Sequence, residues 1–408
     1  VGHYSTHLNL HELLRLPLSV ARELALHKGH LYLDKLVRIT DSVADELGHH
    51  TGGGLSLNNL RQLSTAAAHA LGRHGGQLSL DRIRTLVPAV AAGLARHAFE
   101  LSLGGIAKLS PEAAAALSRH RGDLFLNALV KLPKRVADHL TRHQGNLHLH
   151  GVSRLSDAAA EAFGKRTGYL CLQGVERLSP AQAQLLAGHR GALLFNRLEV
   201  DEAVAAGLSR HQGALVVPVG RGISLPTLAL LVQHGGQLVL DGLEAITERE
   251  AEVLASQPHR RGIEGLSGLF VDRIRHITPP VAAILATHRA GDLSLQGITQ
   301  ITEDAALELV KHPILCLDGI TSVTDRVAGI LATHSGAVLS LKGLENVSSV
   351  GLAKLRENPG IELPRRFYET APRTVIAPMS PAARPGKEEL FRAIKQIVAQ
   401  GEAALRKS

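Results

Sequence analysis

The sequence predicts an α/β repeat solenoid, a curved stack of about 16 strand–helix units with a parallel sheet on the concave face. Three observations predict it. The pattern Leu-x-Leu recurs 16 times, from Leu8 and Leu31 to Leu339 and a weaker copy at Ile361, mostly 23 residues apart. Each copy begins with a period-two segment and ends in a helical one. The composition suits thin aliphatic layers: no Trp, one Met and 3% aromatic residues in 408. Self-similarity at this period is the mark of stacked repeats, each too small to bury its own apolar face.

The unit reads Leu-x-Leu-x-x-Leu-x-x-Leu-Ser-x-x-x-Ala-x-x-Leu-x-x-His-x-Gly-x. Its first leucines form a short strand with two side chains pointing inward. Ser or Thr then stands where a helix N-cap belongs, as at Ser64, Ser110, Ser156, Ser179, Thr247, Thr278 and Thr302. Pro follows directly in Ser110-Pro111, Ser179-Pro180 and Thr278-Pro279, the position at which its missing N–H costs nothing. Thr247-Glu248-Arg249-Glu250 has the form of a capping box. Ala and Leu three apart put a small and a large group toward the core. The closing Gly is expected to supply the unusual backbone conformation that returns the chain to the next strand. A helix is wider than a strand, so the stack must curve with its strands inside. At about 4.8 Å per strand, 16 strands span roughly 75 Å of arc.

On these residues the chain resembles the leucine-rich-repeat superfamily, in a 23-residue version of bacterial type, over residues 8–363. One feature departs from the commonest family pattern. The asparagine that usually follows the strand is replaced by Leu36, Leu60, Ile83, Ile106 or Leu129. The resemblance implies recognition of a protein or peptide on the concave face and no catalysis by the repeats. A parallel β-helix is the alternative architecture, and the capped Ala-x-x-Leu segments argue against it.

Three domains are expected: the solenoid at 1–363, a Pro- and Ala-rich linker at 364–386, and an amphipathic helix at 387–408 that docks on a partner or caps the last repeat. One step is 31 residues, between Leu238 and Leu269, and places an insertion at 257–268. Insertions in solenoids map to loops.

The strand residues pointing away from the core define the expected binding surface. Their central column is small and polar toward both ends and apolar in the middle. Phe125, His148, Leu194, Val216, Val239 and Phe270 are the expected partner contacts, because an apolar centre with a polar rim is the anatomy of a protein interface. The column two residues on is mostly polar, from His11, Asp34 and Asn58 to Asp272, Gln296 and Asp318.

Charge is uneven along the chain. Residues 1–200 carry 23 Lys and Arg against 15 Asp and Glu, whereas residues 201–364 carry 13 against 18. Arg38, Arg61, Arg84, Lys108, Lys131, Arg154 and Arg177 recur on the strand-to-helix loop and form a basic edge in the first half. A solvated edge, or one that meets an acidic protein or an anionic membrane, fits this spacing. Nucleic acid is disfavoured because aromatic side chains for base stacking are scarce.

A histidine precedes the next strand at 13 of the 15 junctions, His259 among them; Arg166 and Asn358 fill the other two. A position repeated in nearly every unit serves the unit, so these imidazoles are expected to be neutral, partly buried and bonded to backbone groups. A metal ladder along them is the rival. Cys171 and Cys316 sit at one position of distant repeats, so no disulfide is expected. There is no P-loop, Gly-x-Ser-x-Gly elbow, His-Glu-x-x-His or dinucleotide fingerprint. No catalytic residue, cofactor or metal site is therefore expected. No stretch of about 18 apolar residues exists and no signal peptide is visible. A cytoplasmic location is the expectation, with export of a processed chain left open.

The function expected is a non-catalytic binding scaffold with a protein or peptide on its concave face. A self-assembling structural protein, or a binder of anionic membrane or nucleic acid through the basic half, stays open beside it.

Overall fold

A computed structural model of the chain describes residues 7–10, 12–220, 222–258, 268–289 and 291–368. The core of the predicted insertion (259–267), His11 and His259, the linker beyond residue 368 and the predicted C-terminal helix lie outside them.

Among the described residues, sixteen strands from β1 (Leu8–Asn9) to β16 (Ile361–Glu362) form one sheet in sequential order, all parallel, with fifteen helices between them. Register follows the repeat. Leu55 lies against Leu78, Leu78 against Leu101, and Leu101 against Leu124. The 31-residue step does not disturb it: β11 (Gln237–Asp241) pairs directly with β12 (Gly268–Phe270), Leu238 against Leu269. The extra residues therefore leave the sheet intact. The first nine strands are two residues long, and those from β10 (Leu215–Pro218) to β15 (Val338–Ser340) are three to five. This is the α/β repeat solenoid that the periodicity predicts.

Both inward leucines of each strand, the apolar residue after it, and the helical Ala and Leu belong to one continuous core. In one unit these are Leu124, Leu126, Leu129, Ala137 and Leu140, all fully buried. Each large aliphatic side chain so buried contributes about 1.5–3 kcal/mol, and nearly all of that burial is against the units on either side. Leu36, Leu60, Ile83, Ile106 and Leu129 have no side-chain amide to offer their neighbours. Each instead turns its own N–H back to the carbonyl three residues earlier, as Leu129 N to Leu126 O at 3.1 Å.

Helix starts follow their caps. The hydroxyls of Ser64, Ser110, Ser156, Ser179, Thr247 and Thr302 each accept from the N3 backbone N–H. Thr278 does not, and there Pro279 and Pro280 leave two fewer donors to satisfy. Thr247 and Glu250 form the reciprocal capping box, as do Ser179 and Gln182.

The closing glycines act differently from the expectation. Among those two residues after the junction position, only Gly168 has a positive φ, 83°. The others are needed because successive junctions touch. A Cβ on Gly145 would overlap the carbonyl oxygen of Gly122, and one on Gly213 that of Gly191. Close approach between repeats, not a left-handed turn, selects glycine here.

The histidine column lies at the same junctions. His50, His74, His97, His120, His143, His189, His211, His234, His288, His312 and His334 are buried. Successive rings stack, as His97 on His120 (6.1 Å between centroids, 3° apart) and His120 on His143 (5.7 Å, 2°). Several of them donate to backbone carbonyls, although His211 has no hydrogen-bond partner at either ring nitrogen. His97 donates to Glu100 O at 3.2 Å and His234 to Gly213 O at 2.9 Å. His189 Nε2 donates to Gly168 O at 2.8 Å and His334 Nδ1 to Val310 O at 2.9 Å.

Where the column changes residue, the bonds persist. Arg166 donates from Nη1 to Tyr169 O and from Nη2 to Gly145 O. Asn358 donates to Ala332 O and His334 O. The place assigned to His259 is filled by Gln257, which is buried, donates to His234 O and Gly236 O, and accepts from His288 Nε2 at 2.9 Å. Gln257 stands at the regular 23-residue step from His234, ahead of the extra residues. Histidine, arginine, asparagine and glutamine thus all donate to backbone carbonyls at these junctions, which identifies the column as a structural device.

Residues 365–367 form a 3-10 helix at the start of the predicted linker. Arg366 donates to Leu344 O and Tyr368 Oη to Ile361 O, fastening this turn to the last repeats.

Gly145→Ala and Gly213→Ala should each cost about 1–3 kcal/mol through forced separation of adjacent junctions. Gly220→Ala, where a Cβ meets nothing within 4 Å, should leave the melt unchanged. Differential scanning calorimetry of the three variants checks this.

Burial also sets a pH dependence. Desolvation pulls the imidazoles of His74, His97, His143, His234, His288 and His312 below the ordinary 6.5 to about 4, and His211 to about 3. The second ring nitrogens of His97, His143 and His234 are buried without partners, so a proton added there would have no acceptor. A lowered folded pKa means the unfolded chain takes up protons first. The column's contribution is therefore complete above about pH 7 and is lost as pH falls from 6.5 toward 4. Thermal melts of chelator-treated protein at pH 7.5 and 5.0 should differ by on the order of 10 °C or more. Equal melts would mean that the column is solvated.

Candidate interaction surface

Alternation along each strand turns one residue in two away from the leucine core. The sheet face opposite the helices is built from these residues, and it has three zones.

The first is polar and covers the early repeats. Asp34 Oδ1 accepts from Ser56 Oγ at 2.6 Å and from Asn58 N at 2.9 Å. Asn58 Oδ1 accepts from Ser79 Oγ and Asp81 N, and Asp81 Oδ1 from Ser102 Oγ and Gly104 N. Each carboxylate or amide binds the hydroxyl and the backbone of the next repeat. The ladder so formed runs along the open face of the sheet. A recess of about 210 Å³ lies over it, lined in part by Tyr32, Ser56, Asn58, Ser79 and Glu100. Burial and Asp123 raise the Glu100 carboxyl above its ordinary range.

The third zone repeats the device, Asp272 with Ser294 and Gln296, and Asp318 with Ser340 and Lys342. The sequence shows these residues as a polar column; their pairing across repeats needs the register, which only a fold provides.

Between the ladders lies the apolar centre. Tyr169, Cys171, Leu194, Val216, Val239 and Phe270 form a second cluster, separate from the main core. Leu194 and Val216 are 3% exposed, Phe270 4% and Val239 6%. Neighbouring strands put these side chains side by side, so each is shielded largely by the next. Phe125 is half-buried and stacks on His148 at 3.8 Å, with the rings 8° apart. His148 also meets the Tyr169 ring at 5.2 Å. All six predicted contacts thus fall in one lane, Phe125 the most open and the other five buried.

At the head of this lane, on strands β7 (Leu147–His148) and β8 (Leu170–Cys171), a grouping was missed. The side-chain donors of His148, His150 and Cys171 lie within 4.8 Å of one another. Among the described residues they are the one set of three or more His, Cys, Asp or Glu so gathered; the histidine column forms none. Burial lowers the imidazole of His148 to about 3 and that of His150 to about 4, and pushes the Cys171 thiol up to about 12. Cys316, the other free cysteine, is likewise pushed up to about 12.

The basic edge stands where its spacing put it. Arg38, Arg61, Arg84, Lys108, Lys131, Arg154 and Arg177 are exposed. Arg177 pairs with Glu199 at 3.0 Å; the other six make no ion pair among the described residues. No helix of the described residues is long and apolar enough to cross a membrane.

Sequential parallel strands, one short helix per unit and a 23-residue leucine period define a solenoid of the leucine-rich-repeat class. No protein-family model matches the chain, and no curated protein matches it. Among solved structures it is similar to a Leptospira interrogans LRR protein, at 16% identity and a TM-score of 0.42 over 86% of this chain and 93% of the other. It is similar to an internalin from Listeria monocytogenes at 15% identity and a TM-score of 0.37, over 85% and 93%. A chain of the Drosophila Toll–Spatzle complex gives 15% identity and a TM-score of 0.46 over 80% of this chain, which spans 46% of that one.

Proposed function

We propose that the chain is a non-catalytic scaffold that holds a protein or peptide on the sheet face turned away from its helices. The observation that carries this reading is the layout of that face: an apolar lane from Phe125 to Phe270 with a hydroxyl–carboxylate ladder on either side. Such a lane offers apolar contact in its middle and fixed hydrogen-bonding groups at its margins. The ladders use their own groups on each other, so the rims are rigid before a partner arrives, which lowers the ordering cost of binding.

The test uses serine, the residue that the same column carries at Ser56, Ser79, Ser102, Ser294 and Ser340, so the backbone accommodates it. The triple variant Phe125→Ser, Leu194→Ser, Phe270→Ser should keep the far-ultraviolet circular dichroism of the parent. Its affinity for a captured partner should fall roughly tenfold or more. Undiminished affinity, or cross-links that map to the helices, would place the partner elsewhere.

A second reading has its own observation. Six unpaired cations along one edge would attract an acidic protein or an anionic membrane, with affinity that falls steeply with salt. Self-assembly is the remaining rival, and light scattering at micromolar concentration separates its large species from a monomeric scaffold.

Residues 387–408 are proposed as a further docking helix. Deleting 370–408 should leave the melting temperature within a few degrees, because Arg366 and Tyr368 already fasten the chain to the last repeats. A large fall would assign the segment to the solenoid as its cap.

A further inference from the structure

We propose that His148, His150 and Cys171 form a binding site for one thiophilic divalent ion, of which Zn²⁺ is the type, at the head of the apolar lane. Two imidazole nitrogens and one thiolate are the donors that late transition ions select. The site is built by the repeat. His150 lies two residues past His148 in the turn after β7, where the two rings meet edge to face at 5.8 Å, and Cys171 is the register partner of His148 on β8.

The donors lie within 4.8 Å of one another. Tetrahedral coordination at Zn–N of about 2.0 Å and Zn–S of about 2.3 Å needs separations of roughly 3.3–3.6 Å. The proposed site requires side-chain rotation to close that gap.

A second observation points to a missing ligand. His150 Nε2 is buried with no hydrogen-bond partner, and so is Asn127 Oδ1. Asn127 holds the equivalent place in the turn after the preceding strand, two residues past Phe125, the register partner of His148. Two buried polar atoms without partners in adjoining turns are costly to leave unsatisfied. An ion held by the three donors satisfies His150, and Asn127 in the adjoining turn is the candidate fourth ligand, directly or through a water.

His148 is 5% exposed and Cys171 fully buried, so the ion would be shielded from water on most sides. On binding, the Cys171 thiol gives its proton to solvent and both imidazoles bind as neutral donors. The thiolate then offsets one of the two positive charges, which matters beside the buried guanidinium of Arg166, a group that acts electrostatically on His148. The binding-scaffold reading does not depend on this site, and either can fail alone.

Cobalt(II) is the probe. The untagged full chain, freed of metal by a chelator and titrated with Co²⁺, should show a thiolate-to-cobalt charge-transfer band. The band should saturate at one equivalent and be abolished by one equivalent of Zn²⁺. Cys171→Ser should lose the band, Cys316→Ser should keep it, and His150→Gln should weaken binding at least about tenfold. No charge-transfer band in the parent chain would overturn the proposal. So would a band that survives Cys171→Ser, or cobalt bound only without thiolate character by the other histidines.

Discussion

Each unit of this chain buries backbone carbonyls at the junction between one helix and the next strand, such as Gly145 O and Gly213 O, which a donor must satisfy. Water could do so if the junctions were open. They are closed, because the leucine core brings neighbouring units into contact along their whole length. The structure depends on meeting that demand within the junction. The residue there must be flat enough to stack, must donate to a carbonyl, and must carry no charge that lacks a counterion. Neutral histidine meets all three. Glutamine and asparagine meet them at Gln257 and Asn358. Arg166 meets the first two and keeps its charge, held down only to about 10 by burial, among carbonyl oxygens rather than a carboxylate.

The same contact governs the glycines and the open face of the sheet. Junctions stacked this closely exclude a Cβ at Gly145 or Gly213. Strands stacked in unbroken register let Asp34 reach both the Ser56 hydroxyl and the Asn58 backbone one unit away. The core, the column and the ladders are thus three consequences of one translation repeated along the chain. Stability in such a stack is the sum of unit and interface contributions. A junction lost to protonation weakens the interface on either side of it.

Much of this was legible in the sequence because a period is a long-range statement made locally. Leu124 and Leu147 announce their pairing by spacing alone, and Ser110-Pro111 announces a helix start without reference to anything distant. The basic edge and the apolar lane followed from the same spacing. The lane's burial did not, because shielding of Leu194 by Val216 depends on how closely the strands stand. The glycine role was missed because a turn and a close approach select the same residue, and only φ separates them. His259 was misplaced because residue type was followed over spacing: the 23-residue step from His234 falls on Gln257, two residues earlier. The His148, His150 and Cys171 grouping was within reach of the period-two and 23-residue spacings together. It is masked in the sequence by the junction column, where histidine is so frequent that two more on the open face do not stand out.

That contrast suggests how a chemical site can be recognised in a repeat protein. A residue type that recurs at one position in most units is explained by the unit. His97 and His120 answer the same carbonyls as their neighbours and need no other purpose. His148 stands in a column held elsewhere by Ser56, Ser79 and Ser102, whose hydroxyls close the ladder. An imidazole at that place forgoes the ladder bond, and His150 beside it leaves a buried nitrogen unsatisfied. The repeat therefore bears a local cost at the point where Cys171 joins the pair. A departure that costs the scaffold stability and gathers three donors needs a reason outside the scaffold, and a bound ion supplies one.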